Sequence, residues 1–131
     1  MMNQSWPKLV ISASLLIAMG IGVAVAQNRT AKTDPEFTAF WVKFKDAIAK
    51  NDKQRVADMT KLPFMLDGKD HDRAGFIKEY PTLFTPRMRR CIARAKPTKD
   101  QDYYEIFCGA QIFLFGKVDG VYKFVEIGVN D

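Results

Sequence analysis

One loop concentrates the groups best able to do chemistry. Asp67, Asp70, His71 and Asp72 fall within the run Asp-Gly-Lys-Asp-His-Asp. An imidazole beside carboxylates can serve as a general acid or base, and clustered carboxylates can hold a hard cation. The run is not a calcium loop, because Gly68 stands second and the acids are wrongly spaced. A solvated charge cluster fits the same residues, and Asp72 also reads as the N-cap of a following helix. No residue is assigned a catalytic role, and no metal or cofactor is expected. His71 with a nearby Asp carries the enzymatic alternative, a small isomerase- or hydrolase-like activity.

Other sets of residues point to binding. Phe37, Phe40, Trp41 and Phe44 recur at helical spacing and can line an apolar ligand pocket or simply form core. Tyr80, Tyr103, Tyr104 and Tyr122 are able to reach a cavity, with no acid clearly inward beside them. Trp41, Phe64, His71, Tyr80 and Tyr104 are the candidate binding residues. Arg87, Arg89, Arg90, Arg94, Lys96 and Lys99 form a basic run in a chain of net charge +5. Such a run suits an anionic partner, or a solvated strand whose cations discourage edge-to-edge pairing. No Gly-rich phosphate loop, Ser-His-Asp set or nucleophilic Cys pattern occurs.

Residues 9–26 carry no charge, follow Lys8, and end in Ala24-Val25-Ala26 before a polar stretch. That is the three-part grammar of a secretory signal peptide cleaved after residue 26. An uncleaved membrane anchor is the other reading, since the run just reaches the length of a span. No Cys follows it, which argues against a lipid-anchored form. The expected location is periplasmic or secreted, where nucleic acid is a poor partner. Residues 27–33 read as a flexible arm and 34–131 as a single domain. In an oxidising compartment the two Cys are most simply a disulfide, Cys91–Cys108. With one His in the chain, a two-His metal motif is excluded.

The elements that must position these groups follow from periodicity. Asp34-Pro35-Glu36 opens a helix running to about Lys50. Asn51-Asp52 breaks it and caps a second helix, about 53–61, stopped by Leu62-Pro63. Phe64-Met65-Leu66 is extended, Asp67-Gly68 turns it, and a short helix follows over about 72–79, ended by Tyr80-Pro81. Strands are predicted over about 88–95, 103–115 and 121–129, with an Asp119-Gly120 hairpin turn. Helices first and an antiparallel sheet second make the class α+β. If residues 88–95 pair with 103–108 at a register sum of 199, Cys91 faces Cys108 and Arg94 faces Glu105. In the last hairpin a sum of 239 sets Leu114 against Val125, Ile112 against Ile127 and Phe115 against Phe124.

This register sorts the sheet into two faces. One, nearly all apolar, collects Cys91, Ala93, Ile106, Cys108, Ile112, Leu114, Val125 and Ile127. The other mixes Arg90, Ile92, Arg94, Glu105, Phe107, Gln111, Phe113, Phe115, Phe124 and Glu126. A bulge at Gly109 would shift the phase beyond it. Left uncovered, the second face is an interaction surface built on Arg90, Arg94, Phe107, Phe113, Phe115 and Phe124. Alternatively, the last strand curls and a helix or loop covers it.

The order of elements resembles the nuclear transport factor two-like, or cystatin-like, α+β cone. The likeness rests on Leu62-Pro63-Phe64, then Asp67-Gly68-Lys69, then Phe76-Ile77-Lys78 with Tyr80, then Leu83-Phe84. It resembles a module of small exported bacterial proteins in that superfamily and covers about residues 34–131. The resemblance implies N-terminal helices on a curved antiparallel sheet, a pocket between them, and dimerisation through the sheet. It does not choose among isomerases, dehydratases, binders and dimerisation modules. The enzymes of the superfamily place an Asp or His inside the cone, whereas His71 here reads as lying in a loop. The expectation is an exported, non-catalytic binder of a small apolar or amphipathic ligand or of a protein partner, with a homodimer possible. A dimerising or inhibitory module using the outer sheet face is the further alternative.

Overall fold

The computed structural model describes residues 33–130 together with Gly22. The expected signal segment, its cleavage point and nearly all of the arm lie outside the described residues. Within them the chain is α+β, with four helices, a two-stranded hairpin and a four-stranded antiparallel sheet.

Helix α1 spans Pro35–Ala49. The Asp34 carboxylate accepts the Glu36 backbone N–H at 2.9 Å, satisfying one of the orphan donors of the first turn, and Pro35 fits where no N–H is needed. Phe37, Trp41, Phe44, Ala47 and Ile48 form its buried stripe. Asn51, at positive φ, ends it, and Asp52 caps α2, Lys53–Asp58. This helix stops short of residue 61 because the next residues pair with the sheet. Phe124 N–H donates to Met59 O and Lys61 N–H to Phe124 O, both at 2.8 Å. That pairing covers the outer edge of the last strand.

Strands β1, Phe64–Leu66, and β2, Lys69–His71, form a hairpin about Asp67-Gly68. His71 therefore ends a strand, opposite Phe64, rather than sitting in a loop. Asp72 caps α3, Arg73–Leu83, by accepting the Gly75 N–H at 2.8 Å. This helix does not end at Tyr80-Pro81; it carries Pro81 within its last turn. Tyr80, Leu83 and Phe84 are all buried, and one more helical turn is what brings them to the core. Burial here outweighs the local preference of proline.

The segment expected as a strand over 88–95 is a helix, α4, Pro86–Arg94. Thr85 caps it through Met88 N–H at 3.3 Å, and Pro86 takes the first position. Ile92 is fully buried, and Met88, Cys91 and Ala95 pack around the core beside it. That spacing of three and four is helical, and the arginines between are good helix formers. Arg90, Ala93 and Arg94 are thus exposed on a helix and are not sheet residues.

Strand β3, Thr98–Asp100, pairs instead with β4, Tyr103–Cys108, setting Thr98 against Glu105. The register sum of 199 does not occur, yet Cys91 and Cys108 are bonded, with Cα atoms 5.9 Å apart. The bridge joins a helix to a strand. The long strand expected over 103–115 breaks at Gly109-Ala110 into β4 and β5, Gln111–Val118. Gly109 has φ +65°, a conformation that favours a residue without a Cβ. Strand β6, Val121–Val129, returns through the expected Asp119-Gly120 turn. Phe115 faces Phe124 as expected, but Leu114 faces Glu126 and Ile112 faces Gly128. Val125 is the extra residue of a bulge that moves the pairing by one.

The two-residue turn at 109–110 also re-sorts the faces. Ile106 and Cys108 share the inner face with Phe113, Phe115, Tyr122 and Phe124, all buried. Ile112 and Leu114 lie on the outer face, beside Gly128. The expectation of Phe113, Phe115 and Phe124 on an open surface is therefore corrected: each is fully buried. Phe115 is the hub, 5.0 Å from Phe44 and 5.6 Å from Phe124 between ring centroids. Phe124 reaches Phe64 at 5.0 Å, tying the β1–β2 hairpin to the same core. Burying each such ring stabilises the fold by roughly 1.5–3 kcal/mol.

Candidate functional site

The acidic loop does not assemble into a reactive cluster. Asp67 sits in the hairpin turn at positive φ, Asp70 is exposed on β2, and Asp72 is committed to capping α3. His71 is half-buried, with its Nδ1 and Cβ each 3.2 Å from where a side chain on Gly75 would begin. Among the described residues no carboxylate is paired with it, and no group of three His, Cys, Asp or Glu could hold a metal ion.

The aromatic candidates lie in the core, packed ring against ring. Tyr104 stacks on Phe37 with centroids 3.6 Å apart, Tyr80 lies 4.9 Å from Phe84, and Trp41 lies 5.6 Å from Phe115. Phe64 meets Phe76 and Phe124. These contacts pack the interior between α1 and the sheet, and an open hollow of about 490 Å³ remains at its rim between Phe40 and Lys43 of α1, Met59 and Val121 to Lys123. His71 ends β2 directly opposite Phe64 and is half-buried there.

A polar cluster that sequence reasoning missed closes one end of the fold. Tyr122 Oη donates to Asp34 Oδ2 at 2.7 Å, and the Asp34 backbone N–H donates to Tyr104 Oη at 2.9 Å. Lys117 Nζ lies 3.0 Å from Glu36 and 3.8 Å from Asp34, and 5.1 Å from the centre of the Tyr122 ring. The Tyr122 hydrogen bond, with that from Glu36 N–H, holds the Asp34 carboxyl below the usual carboxylate range. Burial, reinforced by the same bond, pushes the Tyr122 phenol up. The ion pair with Glu36 raises Lys117. At neutral pH the phenol is thus a firm donor and the carboxylate a firm acceptor, an arrangement that fastens and does not abstract protons. An open hollow of about 440 Å³ between Lys99, Asp102, Tyr103, Lys117 and Tyr122 lies beside it. Asp34 and Tyr122 are separated by 88 positions, so no local pattern connects them.

The outer face of the sheet is of another kind. Phe107, Ile112 and Gly128 form one cross-strand row, and Glu105, Leu114 and Glu126 the next. Beyond them the Tyr103 ring covers Gly116, where an added Cβ would come within 2.8 Å of it, and Val125 stands alongside. Phe107 and Tyr103 remain 48% and 50% exposed, and Ile112, Leu114 and Val125 are half-buried. No described helix packs on this side of the sheet; the helical layer lies on the inner face. The result is an apolar patch centred on β5, with Glu105 and Glu126 on the flanking strands. Of the residues expected on an interaction surface, Phe107 alone lies here; Arg90 and Arg94 are on α4.

No protein-family profile and no curated protein matches the chain. Among solved structures, a de novo designed protein with a curved β-sheet aligns over 73% of this chain and 97% of its own, at 18% identity and a TM-score of 0.44.

The disulfide belongs with an oxidising, extracytoplasmic environment. No helix among the described residues is long and apolar enough to cross a membrane.

Proposed function

We propose that the protein is an exported, non-catalytic interaction module of the cone type. It works in the periplasm or outside the cell and pairs with a second copy of itself through the outer face of the β4–β5–β6 sheet. The observation that carries this reading is the contrast between a filled interior and an open apolar patch. An apolar centre with charged margins is the anatomy of a docking surface. The same patch on two copies meets itself about a two-fold axis, the commonest symmetry of soluble assemblies. The resemblance to the cone superfamily implies the same use of the sheet. The packed aromatic core counts against a small-ligand pocket, and the dispersal of the acids around His71 counts against catalysis.

Sedimentation velocity of the protein from about 1 to about 100 µM is the test, spanning the range of moderate association. The wild type is expected to move from monomer to dimer. Leu114→Arg and Phe107→Arg are expected to hold it as monomer while leaving the core intact. A wild type that stays monomeric across the range, or arginine variants that dimerise equally well, overturns the reading.

A further inference from the structure

A second surface lies in the helical layer, away from the outer sheet face. The described residues contain two arginines outside α4, Arg55 and Arg73, and both are ion-paired, with Asp46 and Asp58. The four within α4, Arg87, Arg89, Arg90 and Arg94, are in no ion pair among the described residues. The helix contains no acid at all. Its buried side, with Met88, Cys91 and Ile92, is locked to the core and to β4 by the disulfide. Its outward side shows Pro86, Arg87, Arg90, Ala93 and Arg94. Arg87, Arg90 and Arg94 fall at i, i+3 and i+7, one stripe about 10 Å long at helical rise. Lys96, exposed and without an ion pair among the described residues, follows the helix, whereas Lys99 lies over the Tyr104 ring in the hollow with Asp102 and is not part of the stripe.

The shape of this surface narrows its partner. Arg90 and Arg94 stand on the convex side of the helix, where a small anion finds no wall around it; Arg87 borders an open hollow of about 380 Å³ beside the disulfide, with no second cation in its lining. A row of this kind is matched by a broad surface that repeats its negative charge. Arginine forks suit phosphate oxygens, which they can engage two at a time. The outward side of α4 offers no large apolar side chain, so it would rest on headgroups and not insert between acyl chains. We infer that the outward side of α4 forms a docking surface for an anionic phospholipid bilayer, held electrostatically through headgroup phosphates. The inference is independent of pairing through the outer sheet face, which leaves α4 free.

The test is partition of the whole protein between vesicles of phosphatidylcholine alone and vesicles containing phosphatidylglycerol. The readout is the ratio of the two affinities, because any apolar anchor enters both kinds of vesicle. The wild type is expected to favour the anionic vesicles strongly at low salt and to lose the preference in high salt. Arg90→Gln with Arg94→Gln should lower the ratio about 25-fold, near fivefold for each cation removed. Lys43→Gln with Lys61→Gln, an equal change of charge elsewhere, should leave it unchanged. Both pairs are exposed, and an intact disulfide by mass checks the fold. A wild-type ratio near one overturns the inference, as does an equal loss from both pairs. Tight binding of a soluble polyanion such as heparin, with a vesicle ratio near one, overturns it in favour of a different partner.

Discussion

The two faces of one sheet put their alternating residues to opposite uses. On the inner face Tyr104, Phe113, Phe115 and Phe124 meet the rings of α1 and of Phe84 just past α3, with Ile106 buried beside them, each essentially without solvent contact. On the outer face their sequence neighbours Tyr103, Glu105, Phe107, Ile112, Leu114 and Val125 are exposed or half-buried, and Gly116 lies under the Tyr103 ring. The aromatic face closes the fold, while the thinner, flatter face is left over. Strand alternation alone makes both, so hydrophobicity does not distinguish a core residue from a surface one here. What distinguishes them is whether a helix covers that side.

The sharpest way to break this contrast is to truncate a ring on each face. Phe124→Ala should cost about 3–5 kcal/mol by urea denaturation, because a large cavity opens among five other rings. Phe107→Ala, on the same sheet, should cost less than about 1 kcal/mol. Equal costs would mean that the outer face is covered in solution even in the monomer.

The disulfide tests the helical layer that makes the difference. It closes a loop with a sequence separation of 17, and replacing both cysteines by serine should cost about 3 kcal/mol on loop entropy. Loss of hydrogen-exchange protection in α4 and β4, the two elements it joins, with little change in the β1–β2 hairpin, is the expected pattern.

The bond from Tyr122 to the Asp34 carboxylate gives the helix-covered side of the sheet a pH dependence. The folded carboxyl is held below its ordinary value of 3.8. Its contribution is therefore full above that value and is lost as the pH falls through the lowered one. Urea midpoints of wild type and Asp34→Asn should differ at neutral pH and converge in acid. The smallest effect belongs to Gly116→Ala. The added methyl displaces the Tyr103 ring, but that ring is half-exposed and free to swing, so the cost should stay below about 1 kcal/mol.

Much of this was legible in the sequence. The first helix with its Asp34 cap, the Asp119-Gly120 turn and the α+β order follow from local rules, and the Cys91–Cys108 bridge from an oxidising compartment with two cysteines. The run MRRCIARA was misread because its apolar residues fit both alternation and a spacing of three and four over so short a stretch. Thr85-Pro86, a helix-opening pair, was the signal that decides between them. The disulfide expectation survived the wrong register because the compartment argument does not depend on it. The faces beyond residue 109 were mis-sorted because a two-residue turn and a later bulge each reset the phase. The Asp34–Tyr122 contact was invisible for a different reason: it joins the ends of the domain, and only the closed fold brings them together.

That contact also settles how tension would run through the molecule. Asp34 is tied to Tyr104 on β4 and Tyr122 on β6, and Phe37, one turn later, lies flat on Tyr104. A pull applied upstream of residue 33 is shared at once between two strands of the sheet and does not unwind α1 from its tip. The N-terminal side is accordingly the sound point for a tether, whether a surface linkage, a fused tag or a pulling handle.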